Sequence, residues 1–229
     1  MKVNYIPVFY FGQRRINNLQ DKHYFLKKHL DFLQSLDSDS PIHATLVINV
    51  SSTHDEVDVK QIISEYTLNI PVETMFRENS GYSYGGWNHA LMLNIFNQYD
   101  YSFLIEDDYV PSRKDFYTPF INQVKEDTSF VCTKLFLSPL HAAISNGLLP
   151  GNNAKKVFEV YGRVFDVNSG DSYGHAEMSQ VNFLSLFDSL GLKLTELSEE
   201  FEKPFLNFNS EIITYGGQIK APIEPIRAE

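Results

Sequence analysis

The sequence predicts an α/β fold built on a mostly parallel sheet flanked by helices. Two observations carry this. In the first half, apolar runs of strand length alternate with stretches of helical spacing, and such repetition closes into a parallel sheet with crossover helices on both faces. The acidic triplet Glu106-Asp107-Asp108 and the glycine-bearing loop 78–86 both follow predicted strands, at the carboxyl ends where such sheets bind ligands.

Val3 to Phe11 is an apolar strand, followed by the polar turn Gly12-Gln13-Arg14-Arg15. From Leu19 to Leu36, the positions Phe25, Leu26, His29, Leu30, Phe32, Leu33 and Leu36 recur with helical spacing. Ile42 to Val50 is a second strand, ending in a polar turn at 51–55. Thr53 and Glu56 have capping-box spacing, so a helix starts there and runs to about Tyr66. Ile70 to Phe76 is a third strand; after loop 78–86, a helix is expected from Trp87 to Gln98. Tyr101 to Ile105 is a short apolar strand that runs directly into the triplet. The second half is less regular: a strand at Ser129–Leu137, a loop-like stretch at Pro139–Asn153, a helix at Glu177–Leu190 and a strand at Lys193–Leu197. No repeat or interdomain linker interrupts the chain, so one domain over 1–229 is expected.

With 43% hydrophobic and 14% aromatic residues in 229, a mainly disordered chain is excluded. The 18 Phe and 13 Tyr either fill the core or line a groove. A net charge of −10 argues against a broad basic nucleic-acid surface, and means that a polyanionic ligand enters only with a metal ion or local cations. Cys132 is the only cysteine, which excludes disulfides within the chain and cysteine-rich zinc sites; in its apolar run it reads as a small buried hydrophobe. No run reaches transmembrane length, and a cytoplasmic protein is expected, although a piece of a larger membrane-associated enzyme would read the same way.

Three consecutive acids after an apolar strand repel one another, and a divalent cation relieves that repulsion. Mg²⁺ or Mn²⁺ suits such oxygen ligands and typically takes one or two carboxylates plus substrate phosphates. The alternative is a solvated acidic turn that caps a following helix.

The segment Leu104-Ile105-Glu106-Asp107-Asp108-Tyr109-Val110-Pro111, with Asp115-Phe116-Tyr117, resembles the strand–acidic motif–helix segment of GT-A glycosyltransferases. The likeness is to family-2-like variants that carry Glu-Asp-Asp as their DXD motif. The resemblance implies a Rossmann-like sheet with a nucleotide-sugar-binding half over about 1–125 and a less regular acceptor-binding half over about 126–229. It further implies that Asp108 is the direct metal ligand, with Glu106 beside it, and that Glu106 and Asp107 serve the sugar, the ribose or metal-bound waters. Pro7-Val8-Phe9-Tyr10 looks like the first strand, whose end cradles the base, with Pro7 and Phe9 as the candidate contacts; Asp55 resembles the aspartate that contacts it. Arg77, Asn79, Gly81 and Asn88 resemble the Asn-x-Gly…Asn segment ahead of the motif, but Trp87 stands where many relatives have arginine and the spacing is one residue longer. Asn49 stands where many have aspartate. Arg14, Arg15 and Arg77 are candidates to pair with donor phosphates.

An inverting transfer needs a general base near the acceptor hydroxyl. Glu177 is the first candidate and Asp171 the second, although an acid in a first helical turn is also favourable in its own right. His141, Ser145, Asn146 and Gly147 resemble the acceptor-side wall; His141 and His175 could also reach the metal or the diphosphate, or be ordinary hydrogen-bonded residues. The expected activity is a metal-dependent transfer from a nucleotide-diphosphate sugar, UDP being the first candidate, to a glycan or lipid-linked saccharide. The alternatives are transfer to a modified nucleic-acid base, which the charge disfavours, a nucleotidyltransferase, and a non-catalytic sugar-nucleotide-binding module.

Overall fold

A computed structural model of the chain describes residues 1–11, 21–50, 53–94, 99–133, 135–137, 140–142, 146–167, 181–197 and 205–207. Strands β1 (Val3–Tyr10) and β2 (Ile42–Val50) are near-continuous apolar runs because both of their faces are covered. They lie parallel, Val3 opposite Ile42 and Val8 opposite Val47. β3 (Val72–Glu78) adds to the outer side of β2, and β4 (Tyr101–Glu106) to the other side of β1, with Val8 opposite Glu106.

The remaining strands are β5 (Tyr109–Pro111), β6 (Thr128–Cys132), β7 (Leu135–Leu137), β8 (Leu140–Ala142), β9 (Asn146–Pro150), β10 (Lys193–Glu196) and β11 (Phe205–Asn207). Seven of the strands form one sheet in the order β10-β6-β9-β4-β1-β2-β3. β9 runs antiparallel to both neighbours; the other described pairings in this sheet are parallel. β5 pairs with β11, and β7 with β8.

The helices are α1 (Tyr24–Gln34), α2 (Thr53–Ser64), α3 (Tyr82–Asn94), α4 (Thr118–Ile121), α5 (Gly151–Tyr161) and α6 (Ser185–Asp188). Alternation along the strands divides the core in two. On one face Tyr5, Phe9, Ile48, Phe103 and Ile105 meet α1 and Val59 of α2, together with Phe116 and Phe120. On the other, Ile6, Val8, Val47 and Leu104 meet Trp87 of α3, Val157 of α5 and Phe187 of α6. The aromatic residues thus supply much of both cores; burying each such ring is worth about 1.5–3 kcal/mol. Cys132 is buried in the second core.

Four expectations are corrected. α3 begins at Tyr82, five residues before the predicted Trp87, so Gly85 and Gly86 lie within the helix rather than in the loop. They permit close approach: a β-carbon on Gly86 would stand 2.8 Å from Val8, and one on Gly85 2.0 Å from the Ser80 carbonyl oxygen. The stretch Pro139–Asn153 is not a loop but contains β8, β9 and the start of α5. The strand predicted over Ser129–Leu137 is two: β6 ends at Cys132 and β7 starts at Leu135. Within the predicted helix Glu177–Leu190, a turn at Phe183 and Leu184 precedes α6, where Phe183 stacks on Phe165. The turn 12–15, the start of the first predicted helix at Leu19, its counterpart's end at Gln98 and residues 177–180 lie outside the described residues. No described helix is long and apolar enough to cross a membrane.

Candidate active site

β1, β2, β3 and β4 are parallel, so their carboxyl ends share one edge of the sheet. The chain steps outward from β1 to β3 and then returns to place β4 on the opposite side of β1. That reversal makes the crevice between the ends of β1 and β4 a topological switch point, where sheets of this kind take ligands.

The acidic triplet sits in that crevice. Glu106 closes β4, and Asp107 and Asp108 form the turn into β5. Both aspartates are only 4% exposed, and the element after them is a strand, so this is not a solvated turn capping a helix. The Tyr10 backbone N–H donates to Asp107 Oδ2 at 3.3 Å, tying the ends of β1 and β4 together. The Tyr109 hydroxyl is pushed up to about 12, by burial first and then by the Asp108 and Glu106 charges. Negative charge is therefore concentrated where water is scarce, the setting that favours a bound cation. Among the described residues, no group of three or more His, Cys, Asp or Glu side chains could hold an ion alone. Asp108 and Glu106 fit instead the hard-cation pattern in which one or two carboxylates are completed by substrate phosphates.

Behind the turn, His29 of α1 is wholly buried. Its Nε2 lies 2.9 Å from the Asp107 carbonyl oxygen, and its Nδ1 lies 2.7 Å from the Tyr5 hydroxyl. In the sequence, His29 reads as one more apolar position of α1. The available signal was a polar ring on a core face, which demands partners.

Of the β1 residues expected near the base, Pro7 is paired with Ile105, and the Phe9 ring is fully buried between Phe11 and His29. The ring that faces outward at this strand end is Tyr10, 39% exposed. Asp55 lies in the first turn of α2, buried, with Lys22 Nζ 3.3 Å away; Lys22 also bonds Asp58 at 2.7 Å. The hydrogen bond to Asp58, and then that to Asp55, raise the Lys22 ammonium above its usual value against the opposing effect of burial.

At the ends of β2 and β3, Arg77 Nη1 donates to Asn49 Oδ1 at 2.7 Å and Nη2 to the Ser80 carbonyl at 2.8 Å. Arg77 thus clamps the turn that opens α3, and burial lowers its guanidinium below the usual value. Gly81 takes a left-handed φ of 71°, which glycine adopts without strain, and Tyr82 follows at 53°. The Asn79 Oδ1 is buried and accepts no hydrogen bond from the described residues. Asn88 Oδ1 accepts the Phe165 N–H at 3.3 Å, joining α3 to the segment before residue 168.

On the acceptor side, Asn146 begins β9 opposite Ile105, one position before Glu106, so the structure brings it to the same edge. It is buried, and its Oδ1 likewise accepts no hydrogen bond from the described residues. Gly147 lies inside the sheet between Leu104 and Cys132, where a β-carbon would stand 2.1 Å from the Phe130 ring. His141 lies in β8. Arg14, Ser145, Asp171, His175 and Glu177 lie outside the described residues.

No protein-family model matches the sequence, and no curated protein matches it. Solved structures do match. A mannosyltransferase from Pyrobaculum calidifontis, in complex with GDP-Man and Mn²⁺, superposes with a TM-score of 0.57 at 12% identity over 86% of this chain. A putative nucleotide-diphospho-sugar transferase from Desulfovibrio desulfuricans gives 0.53 at 11% identity, over 86% of this chain and 80% of its own. The chain has the GT-A fold. It spans 55% of the length of the mannosyltransferase. The GT-A architecture is shared with a 4-diphosphocytidyl-2C-methyl-D-erythritol synthase from Anaerococcus prevotii, TM-score 0.56 and 12% identity, over 95% of this chain and 96% of that one.

Proposed function

We propose that the chain is a metal-dependent glycosyltransferase that moves a sugar from a nucleotide-diphosphate sugar to an acceptor hydroxyl. The observation that carries this reading is the buried pair Asp107 and Asp108, with Glu106, at the β1/β4 switch point of a GT-A sheet. The mannosyltransferase that shares the fold holds a sugar nucleotide and Mn²⁺.

Asp108 and Glu106 would hold Mn²⁺ or Mg²⁺. Such an ion supplies Lewis-acid stabilisation of the departing diphosphate. Tyr10, Asp55, Asn79, Gly81 and Arg77 line the ends of β1, β2 and β3, and form the nucleotide side of the crevice, with UDP as the first donor to test. Asn146, beside Glu106, begins the acceptor side, for which a saccharide hydroxyl is the proposed partner. The Glu177 carboxylate, or Asp171 in its place, removes the hydroxyl proton as the acceptor oxygen bonds to the anomeric carbon. The bond from that carbon to the diphosphate breaks, the nucleoside diphosphate leaves with the electron pair, and the configuration inverts. The proposed setting is the cytoplasm, where the lone buried Cys132 stays reduced.

A second reading is a nucleotidyltransferase, which a cytidylyltransferase among the matching structures favours. The reaction product separates the two: nucleoside diphosphate for sugar transfer, pyrophosphate for nucleotidyl transfer. A panel of nucleotide sugars is screened by thermal stabilisation with and without Mn²⁺, and turnover is then measured with saccharide acceptors. Asp108→Asn is expected to abolish nearly all turnover with the fold intact. Full activity of that variant in the presence of chelator overturns the metal assignment.

A further inference from the structure

α1 buries the stripe Phe25, Leu26, His29, Leu30, Phe32 and Leu33 against the sheet, and His29 is its one polar member. The imidazole is enclosed by Phe9, edge-on at 5.0 Å, and by Tyr5, with ring centroids 5.9 Å apart. A phenylalanine there would bury its surface without any polar penalty. The polar ring is instead joined to two groups on different elements, Tyr5 of β1 and the Asp107 carbonyl after β4.

The chemistry of these partners sets the proton positions. A peptide carbonyl only accepts, so His29 Nε2 carries the hydrogen and donates to Asp107. Burial holds the ring neutral, with a pKa lowered to about 4, so Nδ1 keeps its lone pair and the Tyr5 hydroxyl donates to it. Burial likewise raises the Tyr5 phenol well above its usual value, which keeps it a donor. The donors thus run one way, from Tyr5 through His29 to the peptide between Asp107 and Asp108. That peptide is the hinge of the acidic turn, and its orientation sets where the Asp108 carboxylate points. Asp107 is held at its side chain as well, by the Tyr10 N–H.

We infer that His29, oriented by Tyr5, is a positioning residue that holds the turn Glu106–Tyr109 in the geometry its carboxylates need for a cation and diphosphate. The inference deepens the transferase reading and rests on it. His29 touches no reacting atom. It acts through the backbone of the motif, as groups behind metal ligands do, whose loss typically costs about 10–100-fold in metal affinity.

The test compares His29→Phe, His29→Gln and Tyr5→Phe in the full chain. Glutamine presents a donor and an acceptor at about the separation of the two ring nitrogens, so it can remake both bonds; phenylalanine makes neither. The probes are Mn²⁺ with UDP and Mn²⁺ with GDP, titrated by calorimetry, and amide hydrogen exchange of the unliganded protein. The expected result is at least tenfold weaker binding for His29→Phe, a smaller loss for Tyr5→Phe, and near-wild-type binding for His29→Gln. Exchange should quicken at Tyr10 and residues 107–110 in His29→Phe and Tyr5→Phe while β2 stays protected. Wild-type affinity and unchanged exchange in both variants overturn the inference, and so does a His29→Gln variant as impaired as His29→Phe. If His29→Phe does not fold, Tyr5→Phe against His29→Gln decides by the same criteria. If the wild-type chain binds neither Mn²⁺–nucleotide pair, the transferase reading fails, and the exchange measurement alone decides whether His29 holds the turn.

Discussion

Replacing Gly147 by alanine tests whether this residue serves the sheet or a ligand. Gly147 lies in β9 between Leu104 of β4 and Cys132 of β6, so its backbone is fixed from both sides. An added β-carbon would stand 2.1 and 2.2 Å from two atoms of the Phe130 ring and 2.9 Å from the Val131 carbonyl oxygen. The ring must retreat by more than an ångström to restore ordinary contact, and Phe130 is wholly buried in the second core, so it can move only by displacing its neighbours. The carbonyl belongs to the neighbouring strand and cannot turn aside. Overpacking of this kind costs about 1–3 kcal/mol, and the clash with backbone puts it at the upper end. The opposing gain, from the lower chain entropy of unfolded alanine, is about 0.4–1 kcal/mol. The expected net loss is therefore about 2 kcal/mol, read from urea unfolding without ligand. Phe130→Leu makes room, so combining the two should recover about 1 kcal/mol or more as a favourable coupling. An alanine variant of wild-type stability, or strict additivity with Phe130→Leu, refutes the reasoning. A raised acceptor KM with unchanged stability would return Gly147 to the ligand side.

Asp55→Ala should weaken nucleoside-diphosphate affinity by about 1–3 kcal/mol, the scale of a buried polar partner left unpaired; unchanged calorimetric affinity removes Asp55 from the site. The buried His29 also fixes a pH dependence. Its folded pKa lies near 4 against an ordinary 6.5, so the unfolded chain takes up a proton that the folded ring refuses. Stability is then full above about pH 6.5 and falls by about 3 kcal/mol as the pH drops toward 4, below which this contribution levels off. Urea titrations across that range should show a visibly flatter profile for His29→Gln, and identical slopes would contradict the shift.

Much of the first half was legible because its residues obey one rule at a time. β2 is a largely apolar run between a proline and serines, and its observed ends are the predicted ones. The buried stripe of α1 is the predicted stripe, His29 included. The position of the acidic triplet was legible because it directly follows an apolar run of strand length, which the structure shows as β4. Failures came where one residue type answers two demands. Gly85 and Gly86 signal a turn by composition, but they stand inside α3 because the helix must approach Val8 and the Ser80 carbonyl closely. Gly147, Pro150 and Gly151 likewise disguised β9 and α5. Gly147 makes room for Phe130, Pro150 is the residue before the helix, and a β-carbon on Gly151 would meet the Tyr99 carbonyl oxygen at 2.1 Å. His29 was read correctly as buried, but a helical pattern does not say which backbone group a buried ring will reach.

The reversed strand β9 has a consequence for how the chain can be cut. It lies between β4, from the first half, and β6, from the second, and its hydrogen bonds to β4 extend from Tyr101–Pro150 to Ile105–Asn146. A fragment ending near residue 125 would leave the β9-facing edge of β4 open from Tyr101 to Ile105, while its other edge stays paired with β1. Such an edge recruits other strands, including those of identical fragments. The boundary between the nucleotide side and the acceptor side is thus a line of chemistry drawn across one sheet, and a shorter version of this protein is better sought by trimming loops than by dividing it there.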